Sequence, residues 1–208
     1  VDIPDDNFEL TLQQLGLDSG DLDDKVLKAN IIDLEELDLR NKDVEDLTGL
    51  EYFTALKRFY ISNSFNLSNI NISTNTNLEI LHIENTGINN LDISSNANLV
   101  ELKCEKSALT TIDISANFNL KKIYLNGNQF TTFELASTSQ LEELNIGDNP
   151  LESISIDNAL QLKQLFINNA TGSLNTIDAS PFSMLETIDV SNSNLSNFKI
   201  NVGNITSF

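Results

Sequence analysis

The chain has 208 residues, 40% of them hydrophobic, and carries 31 Asp and Glu against 12 Lys and Arg for a net charge of −19. That apolar content is enough for one folded domain with a continuous core and excludes a disordered acidic tail. The charge excludes nucleic acid and anionic membrane surfaces as partners, because phosphates call for Lys and Arg.

The chain opens on an acidic stretch. Residues 1–55 hold 16 of the 31 acids and 4 of the 12 bases. No basic-then-apolar segment stands at Val1, so a mature chain without a signal peptide is expected. Within residues 1–33, Asp6 followed three residues later by Glu9 fits a helix-opening capping box. Phe8, Leu12 and Leu15 give that helix one apolar face, and Gly16 stops it. The helix should cap the open first edge of the region that begins at residue 34. Asp18, Asp21, Asp23 and Asp24 cluster behind it, at a spacing that does not fit an EF-hand loop.

From residue 34 to 208 the chain repeats. Unit-opening leucines fall at 34, 56, 78, 99, 120, 141, 162 and 185. The shared pattern is LxxLxLxx(N/S/T), then LxxLxIxxNxN. Positions 4 and 6 point inward from a first strand, as in Leu81 with Ile83, Leu102 with Cys104, and Ile123 with Leu125. A second alternating stretch, such as "TIDI" at 111–114, lines the opposite wall. One unit cannot bury both walls, and stacking units does. About 21 residues leave no room for a full helix, so the second wall should be short strands or turns. Asn75 and Asn77, Asn96 and Asn98, and Asn117 and Asn119 recur in register and should serve backbone groups at turns. Position 9 is Asn only at Asn128 and Asn149, and Ala170 there bonds nothing. The unit from Leu162 carries two extra residues around "NATGSL", expected to project at the rim. The closing "NVGNITSF" offers no amphipathic cap, so a further segment is expected beyond it. The lone Cys104 permits no intramolecular disulfide and reads as a small core residue.

These units resemble leucine-rich repeats. The form with "LDIS" and "NxN" is similar to bacterial surface repeats, internalin-like and of the kind found in Bacteroidetes, and the opening "IPDDNFELTLQQLGL" resembles the cap of that group. The resemblance implies a right-handed solenoid bent into a horseshoe or arc, mainly β, with a short N-terminal helical cap and a parallel concave sheet of about eight strands. It also implies a secreted or cell-surface protein.

Outward positions of the first strands form columns on that sheet. Position 5 reads Asp38, Tyr60, His82, Lys103, Tyr124, Asn145, Phe166, Asp189. Arg58 and Lys122 flank it in position 3. Rings in a polar field beside Arg and Lys suit a contact surface, so Tyr60, His82, Lys103, Tyr124, Phe166, Arg58 and Lys122 are the expected binding residues. Stacked aromatics that merely stabilise neighbouring strands are the structural alternative. Catalysis is not expected: one histidine stands without a nucleophile elbow, an HExxH or a phosphate loop. Asp92, Asp113 and Glu134 share a column on the second wall and are weak calcium candidates. They are read as solubilising charge, and no metal or cofactor is expected. The expected function is recognition of a protein at the cell surface by a monomer. A glycan-binding module and a structural spacer between domains are the alternatives.

Overall fold

The computed structural model describes residues 1–135, 140–200 and 205–206. Helix α1 (Asp6–Gln14) is capped one residue earlier than its sequence suggests. Asp5 Oδ1 accepts from the Phe8 amide at 2.9 Å. Asp5 prevails over Asp6 because its second oxygen also works. Oδ2 accepts from the Glu45 and Asp46 amides at 2.6 and 3.0 Å, tying the helix to the first repeat. Glu9 does not complete a capping box. It is fully buried and accepts from the Asp23 and Asp24 amides, both at 3.0 Å. Two backbone donors thereby compensate its desolvation. Phe8 and Leu12 are buried, with Phe8 stacked on Phe53. Leu15, expected on the same face, is the C-cap and is half exposed. Gly16 follows at φ +73°, which ends the helix as expected. A single turn, α2 (Lys28–Ile31), leads into the repeats.

Eight first strands form one parallel sheet. In spatial order they are β1 (Glu36–Arg40), β2 (Arg58–Ser64), β3 (Ile80–Thr86), β4 (Glu101–Glu105), β5 (Lys122–Tyr124), β7 (Glu143–Asn145), β9 (Gln164–Phe166) and β11 (Thr187–Asp189). The second wall is turns in the early units. Later it becomes two parallel pairs, β6 (Thr132–Glu134) with β8 (Ser153–Ser155) and β10 (Thr176–Ala179) with β12 (Asn197–Ile200). The inward rows are sealed: Leu81, Ile83, Leu102, Cys104, Ile123, Leu125, Leu144, Ile146, Leu165 and Ile167 are all fully buried. Burial pushes the Cys104 thiol up to about 12, which leaves it inert as a nucleophile.

Asparagine binds unit to unit. Asn96 Nδ2 donates to the carbonyls of Ile72 and Asn75, and Asn117 Nδ2 to those of Ile93 and Asn96. Asn98 and Asn119 reach Thr76 and Ala97 in the same way. At position 9, Asn128 Oδ1 accepts from the Leu109 amide while its Nδ2 donates to Cys104 O. Ser193 manages both roles with one hydroxyl, accepting from Ala170 N and donating to Ile167 O.

Position 8 is the most uniform backbone feature of the repeats, although the leucine pattern does not point to it. Asn41, Asn63, Asn85, Lys106, Gly127, Asp148, Asn169 and Asn192 all adopt positive φ, between 48° and 73°. Asn, Asp and Gly tolerate that region, which turns the chain off the sheet; Lys does so at a cost. The asparagines also ladder. Asn63 donates to Asn41 and Asn85 to Asn63, while Asn169 donates to Asp148 and Asn192 to Asn169. Lys106 and Gly127 interrupt that chain of side chains.

The "NATGSL" segment does not project as expected. Leu174 N bonds Leu151 O at 2.9 Å, and Thr171 N bonds Asn149 O at 3.2 Å. A Cβ on Gly172 would lie 2.2 Å from Leu151 O. The two extra residues are therefore laid against the preceding unit, and only glycine permits so close an approach.

Candidate functional site

Parallel pairing brings the position-5 column together in register. Asp38 faces Tyr60, Tyr60 faces His82, His82 faces Lys103, and Lys103 faces Tyr124. Tyr124 then faces Asn145, Asn145 faces Phe166, and Phe166 faces Asp189. Each of these side chains is partly exposed on the outer side of the sheet.

The column is a set of local partnerships. At its start, Arg40 grips Asp38 through Nε and Nη2 at 2.6 to 3.1 Å and lies 4.9 Å from the Tyr60 ring centre. The hydrogen bond from Arg40 holds the Asp38 carboxyl below its usual range. Tyr60 meets His82 edge to face, with centroids 5.1 Å apart. His82 Nε2 lies 2.7 Å from Glu101 Oε1. Tyr124 donates a short hydrogen bond to Glu143, which also pairs with Lys122 at 3.0 Å. Burial first, and then the Glu143 carboxylate, push the Tyr124 phenol well above its ordinary range. Lys103 Nζ sits between Glu84 at 2.9 Å and Glu105 at 3.4 Å. Burial opposes the Lys103 charge, but those carboxylates outweigh it and hold the ammonium above its ordinary value. Burial raises Glu105.

The sheet therefore brings all seven expected residues onto one face, with a difference in their state. Arg58, Lys103 and Lys122 are not free cations. Arg58 Nε is 2.7 Å from Glu36 Oε2, and the two lysines are paired as above. The seven also omit Arg40, Glu84, Glu101 and Glu143, which orient the rings and ammonium groups. Opposite charges one unit apart in a single column, as in Glu36 and Arg58 or Lys122 and Glu143, are the sequence signal for these pairs. Phe166 differs from Tyr60 and Tyr124: a half-buried ring flanked by Asn145 and Asp189, it has among the described residues neither a cation over it, as Tyr60 has, nor a hydroxyl to bond a carboxylate, as Tyr124 does.

The calcium candidates lie elsewhere and have other partners. Asp92 accepts from Ser94 N at 2.9 Å and Asp113 from Ser115 N at 2.8 Å, and the serine hydroxyls first, then these amides, lower both carboxyls. Asn71 with Ser73 and Asp178 with Ser180 close the same turn in other units. The column is thus a turn-closing device, and Glu134 stands one unit further in β6. Among the described residues no group of three or more His, Cys, Asp or Glu could hold a metal ion. Among them His82 has the Glu101 carboxylate as its hydrogen-bond partner. No helix among them is long and apolar enough to cross a membrane.

No protein-family model matches the chain, and no curated protein does either. Solved structures do. Internalin C2 of Listeria monocytogenes aligns with a TM-score of 0.65 at 18% identity, over 99% of this chain and 94% of that one. A leucine-rich repeat protein of Leptospira interrogans aligns at 0.65 and 19% identity, over 86% of this chain. The APL1 leucine-rich repeat domain aligns at 0.60 and 16% identity, over 84%. This chain spans 57% and 60% of the latter two. At such identities the likeness defines the fold. The chain is a leucine-rich repeat solenoid, a parallel β architecture of about eight turns with few helices.

Proposed function

We propose that this chain is a non-catalytic recognition scaffold that binds a protein partner on the concave face of its eight-stranded sheet, as a monomer at the cell surface or outside the cell. The observation that carries the reading is the in-register column of Tyr60, His82, Lys103, Tyr124 and Phe166, four rings and a lysine held on one sheet amid charged pairs. Oriented rings offer contact area at little entropic cost on binding. The internalin-like likeness of the fold supports a surface location by analogy. Tyr60, with Arg40 on its face and His82 at its edge, is the most pre-engaged ring. Tyr124 and Phe166 therefore carry more of the proposed contact.

Alanine at Tyr60, Tyr124 and Phe166 together tests this. Protein and glycan arrays probed with the natural chain and the triple variant should show protein binding that the substitutions remove, at an unchanged melting temperature. Binding to glycans alone would favour the carbohydrate reading. No binding to either array, with a lowered melting temperature, would identify the column as strand stabilisation in a spacer.

A further inference from the structure

The two ends of the position-5 column are built alike, and one is incomplete. At the first end, Asp38 of β1 faces the Tyr60 ring of β2. Asp38 Oδ1 accepts from the backbone amide two residues on, Arg40 N, at 3.0 Å. The Arg40 side chain then folds back, binds the same carboxylate and covers the ring. At the last end, Asp189 of β11 faces the Phe166 ring of β9. Asp189 Oδ1 accepts from the amide two residues on, Ser191 N, at 2.9 Å. The carboxylate is thus held by the same turn, beside an aromatic ring on the adjacent strand. The Arg40 slot is filled by Ser191, which brings no positive charge to either group. Among the described residues Asp189 has no ion pair and Phe166 no cation over its face. The other rings of the column each have a charged group at hand.

We propose that Phe166 and Asp189 form a receptor for an arginine side chain of the protein partner, which takes the place that Arg40 occupies over Tyr60 and Asp38. This deepens the concave-face reading and rests on it. A guanidinium suits the pair better than an ammonium because it stacks flat on a ring while its edge donates to a carboxylate, as Arg40 does. The charge of −19 favours the approach of a basic partner.

The experiment titrates the chain by NMR with the blocked peptide Gly-Arg-Gly-Arg-Gly and with its Lys and Glu counterparts, following the ring signals of Phe166, Tyr60 and Tyr124 and the Asp189 carboxyl. The expected result is that the Arg peptide shifts Phe166 and Asp189 more than the Lys peptide does, and that the Glu peptide shifts neither. Asp189→Asn should weaken the Arg peptide about tenfold, the loss of one charge-assisted contact. Ser191→Arg should rebuild the Arg40 arrangement in place and abolish the shift, with its own melting temperature at least that of the natural chain. Shifts at Tyr60 or Tyr124 without Phe166 would overturn the arginine site and leave the concave-face reading standing. A peptide that moves no residue of the sheet face would count against both. Shifts spread over the acidic surface and unaltered in Asp189→Asn would also overturn the site.

Discussion

At the scale of single residues, the eight left-handed positions set the requirement and the side chains comply unequally. Lys106 is the poorest fit, since a long side chain with a Cβ costs about 1–2 kcal/mol in that conformation. Lys106→Asn places an amide where the neighbouring Asn85 carbonyl oxygen can accept it, and it relieves the backbone. The expected gain is about 1 kcal/mol, read as a higher urea midpoint at unchanged slope. The column is legible in the sequence, because Asn, Gly and Asp recur at position 8 of seven units. It is overlooked when asparagine is sought at position 9 alone. Glu9 is a different case. Nothing local indicates that a carboxylate in an amphipathic helix turns inward, because its two donors come from residues 23 and 24 across a loop.

At the scale of elements, strand faces are legible because a period of two admits one register once the inward leucines are fixed. The column from Asp38 to Asp189 comes from counting alone. What counting cannot supply is the diagonal pairing between columns. Whether Lys103 reaches Glu84 or Glu101 depends on rotamers and strand twist, and the structure shows Glu84. The cap shows the same limit, since the Asp5 bond to residues 45 and 46 is long-range. Asp5→Ala removes the acceptor of three backbone amides, one inside α1 and two in the first repeat. The expected cost is about 2–3 kcal/mol. Hydrogen exchange should quicken at Phe8, Glu45 and Asp46 while the amides of β5 keep their protection; uniform acceleration would mean that the cap and the repeats open as one unit.

At the scale of the whole molecule, each unit touches only its neighbours, so stability is a sum of unit and interface contributions. Repulsion acts against it, because 31 acids face 12 bases. Raising sodium chloride from low to moderate concentration should therefore raise the melting temperature, the screened repulsion outweighing the loss of exposed pairs such as Lys57 with Glu35. A fall on adding salt would show that the pairs matter more than the net charge.

The gap in the position-8 ladder has a mechanical meaning. From Asn41 to Asn85 and from Asp148 to Asn192 the side chains cross-tie adjacent units along this edge. Between them, the edge is stitched by main-chain bonds such as Lys106 N to Asn126 O and Gly127 N to Gly147 O. Where the position-8 ladder breaks, position 9 takes over the side-chain cross-ties: Thr86 meets Ser107, Asn128 Nδ2 donates to Cys104 O, and Asn149 Nδ2 donates to Leu125 O. The tie thus shifts by one residue in the middle units, beside Lys103 and Tyr124, and the edge stays laced by side chains from the first repeat to the last.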